Sequence, residues 1–171
     1  MPVSGGARPA PIELPPIALD AELEFSSSAL ADGLSYWNKR AAGRQMPLLA
    51  DIRPEEIVSL LPFLSLFEIR TQDGVFSIFP RLAGAKFEEV FGQIHKKELH
   101  TVLPPEILER WHGAARTMVE AGVPLRATGQ VLHEDRSFIT FELLLAPLSR
   151  TGDEIDILYL LSDFGMPSLS G

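Results

Sequence analysis

The residues able to do chemistry are few and scattered. The chain has no cysteine, which removes disulfides, thiolate nucleophiles and thiolate-held metals together. Four histidines remain: His95, His100, His112 and His133. No pair has the H-x-x-x-H spacing that places two imidazoles on one helical face. His95 and His100, five apart beside Glu98, offer at most a surface site, so no metal is expected. No serine sits in a G-x-S-x-G elbow, and Gly84 and Gly92 do not form a phosphate-cradling loop. The carboxylates fall mostly in turns and helix starts, where solvation or capping accounts for them. Arg81 is sharper. It stands where a strand-like run enters Gly84, and its guanidinium could fork a carboxylate or phosphate of a ligand. A structural ion pair with Glu88 or Glu89 uses the same chemistry. The inventory points away from an enzyme.

Composition agrees with a single globular domain carrying a tail. The 171 residues are 46% hydrophobic, too apolar for disorder over most of their length. No apolar run approaches the ~20 residues of a membrane span. The opening MPVSGGARPAP has Gly and Pro where a signal peptide needs an apolar core. A cytoplasmic protein is expected. Net charge is −8, and the Lys/Arg doublets are Lys39-Arg40 and Lys96-Lys97; such a surface repels phosphate backbones, so nucleic acid is not an expected partner.

The elements follow from periodicity and punctuation. Residues 1–25, with Pro2, Pro9, Pro11, Pro15 and Pro16, read as a flexible leader. A helical extension occupies 26–62. Its first helix, about 28–42, is capped by Ser26-Ser27-Ser28, carries Leu30, Leu34, Trp37 and Ala41 as one apolar stripe, and stops at Gly43. That stripe either covers the domain's own core or pairs with a second copy, with Leu30, Leu34 and Trp37 at the interface. A second, short helix opens at Pro54 and ends at Leu61-Pro62.

A strand-rich region spans 63–165, followed by a tail, 166–171. Strands are predicted at about 63–70, 75–83, 125–133, 138–147 and 155–164, with a hairpin turn at Thr71–Gly74 and further turns at His133–Ser137 and Ser149–Glu154. A short helix over 85–91 ends at Gly92. A long one over 105–121 opens on Pro104-Pro105 and stops at Gly122. Pro80 cannot donate to a ladder, so its strand should lie at an edge or carry a bulge there.

This order of elements resembles a PAS domain. Tyr36-Trp37, Met46-Pro47, Asp51-Ile52-Arg53-Pro54-Glu55, Leu61-Pro62, Arg81-Leu82-Ala83-Gly84 and Gly92 look like the signature of a bacterial family of stand-alone PAS proteins. The family pattern usually has an aromatic residue before Arg-Leu-Ala-Gly and an acidic one before the helix-opening proline; Pro80 and Arg53 stand there instead. The resemblance implies an α+β fold. Its five-stranded antiparallel sheet has spatial order 2-1-5-4-3, with helices on one face and an added N-terminal helix. It also implies a ligand chamber between sheet and helices. The candidate lining is Phe79, Phe87, Phe91, Trp111, Met118, Phe141 and Leu160, with Arg81 and His112 as its polar members. A packed core without a chamber explains the same aromatics.

His112 beside Trp111 could serve as an axial haem ligand as in some PAS sensors, although histidines at this count need no such role. The flavin photoadduct of one subclass needs a cysteine, so it is excluded, and no cofactor is assigned. The implied function is a stand-alone sensory or regulatory module of bacterial signal transduction. It would be homodimeric and would act on a signalling protein, with or without a small-molecule ligand. The alternatives are a ligand-free scaffold or a cone-shaped isomerase or dehydratase. The latter needs an inward acid or base, for which Glu142 and Tyr159 are the candidates.

Overall fold

The computed structural model describes residues 14–132 and 139–165. Leader residues 1–13, the expected turn at His133–Ser137 (His133 with it) and the tail 166–171 lie outside the described residues. One antiparallel sheet forms the middle layer. Its strands are β1 (Leu19–Asp20), β2 (Leu64–Gln72), β3 (Val75–Leu82), β4 (Leu125–Gln130), β5 (Thr140–Leu148) and β6 (Ile157–Gly165). They lie side by side as β1-β4-β5-β6-β2-β3. Without β1 this is the expected 2-1-5-4-3 order.

The sixth strand corrects the reading of the leader. Prolines 15 and 16 block a helix but leave Ile17 to Asp20 free to extend. Leu19 and Asp20 pair with Ala127 and Arg126, Ile17 is buried, and Leu14 and Leu19 pack on the core. Residues 14–25 are therefore laid along the domain, and the backbone hydrogen-bonds the sheet's far edge.

Helices cover both faces because the central strands are apolar on both. In β6, Leu158 and Leu160 join one core, while Ile157, Tyr159 and Leu161 join the other. Helices α2 (Ala85–Phe91) and α3 (Pro105–Ala121) cover the first face. The added helix α1 (Ser28–Ala41) covers the second. Its N-cap is Ser27, whose hydroxyl accepts from the Leu30 amide at 3.3 Å. It closes at Ala42, which takes the left-handed turn at φ 52, one residue before the expected Gly43.

The apolar stripe of α1 is spent inside the chain. Leu30 is 0% and Trp37 4% exposed, and Leu34 is half-buried against the same core. The Trp37 indole donates to the Pro147 carbonyl at 2.9 Å, and the Tyr159 hydroxyl donates to the Gly33 carbonyl at 2.8 Å. Gly33 permits this approach, since a Cβ there would run into the Leu161 side chain. The expected dimer contact through Leu30, Leu34 and Trp37 thus loses its surface.

The short helix expected after Pro54 is instead two 3₁₀ turns, Pro54–Glu56 and Val58–Leu60. Ile57 between them leaves helical geometry at φ −133, ψ 40. The three-residue repeat brings both Ile57 and Leu60 to the core.

Strand β3 is the outermost strand on its side. The β2–β3 register shifts between Leu66, opposite Leu82, and Phe67, opposite Pro80. Arg81 is therefore the extra residue of a bulge, and Pro80 sits at both features its ring demands. Asp73 and Gly74 have φ of 52° and 77°, the two positive values of a hairpin turn. Gly84 follows where only glycine fits: a Cβ would lie 2.7 Å from the Leu64 carbonyl oxygen and 2.8 Å from that of Pro62.

Candidate functional site

The expected chamber lies between α2, α3 and the sheet, where Phe87, Phe91, Trp111, Met118, Phe141 and Leu160 are all buried in one cluster. Phe87, Val90 and Phe91 share the inner face of α2; Ile107, Trp111, Ala114, Ala115 and Met118 form the inner stripe of α3. The rings touch one another. Phe87 stands 4.7 Å from Phe91 and 5.2 Å from Trp111, centroid to centroid, and Phe91 stands 5.5 Å from Trp111. Phe67, Phe141 and Phe164 extend the set at 5.9–6.3 Å. These are the spacings of packed aromatic pairs.

His112 is not among them. It is half-buried and meets Phe76 of β3 edge-on at 6.2 Å. Burial lowers its pKa; Arg116 adds to that and Glu109 opposes it.

Phe79 and Arg81 lie elsewhere, in an open cleft of about 480 Å³ with Glu68, His95 and Lys96. Glu68 stands opposite Phe79 in the register. Its carboxylate meets Arg70 at 3.2 Å, Arg81 at 3.3 Å and Arg150 at 3.6 Å. Burial alone would raise the pKa of Glu68, but the three guanidiniums outweigh it and hold it below the usual carboxylate range. The Arg70 guanidinium also lies over the Phe79 ring at 4.1 Å. The expected pairing of Arg81 with Glu88 or Glu89 is not formed. The bulge re-aims Arg81 toward Glu68, and Glu88 instead accepts from the Ile94 and His95 amides at 2.8 and 3.2 Å.

Among the described residues, no group of three or more His, Asp or Glu is placed to hold a metal ion. No described helix is long and apolar enough to cross a membrane.

A family model described as a PAS domain matches residues 25–162. The chain belongs to the PAS-domain family. No curated protein and no solved structure matches it. Membership makes this a sensory or regulatory module in general terms, and the sheet order and the Arg81–Gly84 corner are how this PAS domain builds the fold.

The two residues considered as an inward acid or base in this PAS domain, Glu142 and Tyr159, are occupied. Glu142 accepts from the Ser26 and Ser27 amides at 2.9 and 2.8 Å and from two nitrogens of Arg126 at 2.9 and 2.7 Å. Burial raises the Tyr159 pKa far above its ordinary value, and its hydroxyl is committed to Gly33. Neither faces the aromatic cluster.

Sequence reasoning missed Glu68 and Arg110. Glu68 carried a signal, as the one acid within the run Leu64–Ile69. So did Arg110, three residues after Ile107 on the buried stripe. It is 7% exposed and donates to the carbonyls of Pro15, Gln130 and Val131 at 2.9–3.1 Å. Arg150, far along the chain, carried none.

Proposed function

We propose that this PAS domain is a non-enzymatic regulatory module of cytoplasmic bacterial signalling, and that it acts by docking a protein partner rather than by taking a small ligand into its core. The supporting observation is the aromatic cluster: Phe87, Phe91 and Trp111 stand 4.7, 5.2 and 5.5 Å apart, centroid to centroid, so a ligand entering among them would have to part them. Opening it would separate close-packed side chains, each worth roughly 1.5–3 kcal/mol of burial. The engagement of Glu142 and Tyr159 in structural hydrogen bonds supports the non-enzymatic part. With Leu30 and Trp37 turned inward, self-association through α1 is not part of this reading.

Native mass spectrometry of freshly purified protein tests it. The expected spectrum is the bare polypeptide. A stoichiometric adduct that disappears in Trp111→Ala but persists in a surface variant such as Lys39→Ala would overturn it.

A further inference from the structure

In the cleft beside β3 this acidic chain sets Arg70 over the Phe79 ring, with Arg81 and Lys96 beside it. Arg81 and Lys96 line the cleft with Glu68, Phe79 and His95, and Arg70 and Arg150 also reach the Glu68 carboxylate. Arg70 is shared between Glu68 and Glu98, and Arg150 between Glu68 and Asp156. Arg81 has only Glu68 as an acidic partner among the described residues, through one of its nitrogens, and its side chain is 46% exposed. A guanidinium carries five N–H donors in a fork, so most of Arg81's capacity is unspent. The Lys96 ammonium has no ion-pair partner among the described residues.

The backbone adds direction. One side of β3 pairs with β2, and its other side pairs with no strand among the described residues. At its far end the Lys96 amide donates to the Pro80 carbonyl at 3.0 Å, which closes the edge there and anchors the loop bearing His95 and Lys96. Upstream, Val75 is 65% exposed.

We propose that this cleft docks an extended acidic segment of a partner protein. One Asp or Glu side chain of the segment is gripped by Arg81 and Lys96. A neighbouring apolar side chain lies against Phe79, and the segment's backbone follows the outer edge of β3. This rests on the reading that the module works through a protein partner, and it adds the surface and the chemistry recognised. A phosphate backbone is a poor fit, since the chain as a whole carries a net charge of −8. A free small anion fits less well than a peptide, because the cleft is open and far larger than one carboxylate.

Selection of phage-displayed random dodecapeptides on the full chain tests this, followed by fluorescence anisotropy of the recovered peptides. The expected peptides share an Asp or Glu beside an aromatic or branched aliphatic residue. The double variant Arg81→Gln/Lys96→Gln should bind them at least about tenfold more weakly, the effect of losing one charge-assisted contact pair. Lys39→Gln on the exposed side of α1 should not change binding. Backbone amide shifts on the wild-type chain give a reading that needs no variant: peptide should move Phe79, Arg81 and Lys96. Peptides without an acidic position, equal binding to the double variant, or shifts elsewhere would overturn the proposal. So would succinate or inorganic phosphate matching the peptide's affinity at the same amides, which makes a small anion the occupant. A dimer in sedimentation that dissociates in the double variant would make a second copy the occupant. Failure here leaves the partner-docking reading intact, whereas a small molecule found in the core removes that reading without touching the cleft.

Discussion

Glu142 holds the start of α1 to the sheet with one carboxylate and four donors, two from the Ser26 and Ser27 amides and two from Arg126. Burial alone would raise its pKa; these hydrogen bonds outweigh burial and lower it from 4.5. A carboxylate with a lower pKa folded than unfolded stabilises fully above the unfolded value and loses that contribution as pH falls through the folded one. Stability should therefore decline from about pH 4.5 downward. Glu142→Gln should cost about 1–3 kcal/mol at pH 7 and flatten that decline. Urea unfolding of both proteins at pH 7 and at pH 3.5 measures it, and parallel pH dependences would contradict it. The residue was legible as an inward acid, but its role was not. Its amide partners stand 115 and 116 positions away, and no local pattern encodes such a distance. The partner of Arg81 was hidden in the same way, because the bulge that turns it toward Glu68 is a property of two paired strands.

Elements with their own punctuation were read close to where they stand. Helix α3 runs Pro105–Ala121 between Pro104 and Gly122, as expected, and Pro80 announced both the edge and the bulge. Strand β1, which lacks such marks, was missed, and the segment after Pro54 had its ends marked but not its 3₁₀ geometry. Strand β1 is two residues long and exists because β4 offers an edge, and the 3₁₀ turns around Ile57 exist because two apolar side chains three apart must both reach the core. The stripe of α1 was visible, but its target was not, since a dimer surface and a second sheet face present the same periodicity. The structure answers in favour of the sheet, with a measurable consequence. Trp37→Ala should lower stability by about 3–5 kcal/mol, the range for emptying a buried aromatic site. Light scattering should give the same mass before and after. Retained stability with a lost dimer would reverse the assignment.

At the scale of the whole molecule, three layers are stapled by long-range polar contacts that composition does not announce. Arg110 links α3 to the leader at Pro15 and to the end of β4 at Gln130 and Val131. Arg110→Ala should free residues 14–25 from the sheet edge, so limited proteolysis there should accelerate about tenfold, while a site in α3 is cut at the wild-type rate. Equal digestion of the leader in both proteins would show that Ile17 and β1 hold it without the arginine. The elements were legible from period and punctuation, while the sheet order and the idea of a lined chamber came only with the resemblance to a PAS domain. Whether the lining encloses a space was not legible, because packing depends on where rings from five separate elements meet. The central claim is that those rings meet each other. A high-resolution crystal structure of the protein purified from its own cells tests it most directly. The expected map shows Phe87, Phe91 and Trp111 in contact with no unassigned density among them; unassigned density between α3 and the sheet, with the three rings pushed apart, would contradict it.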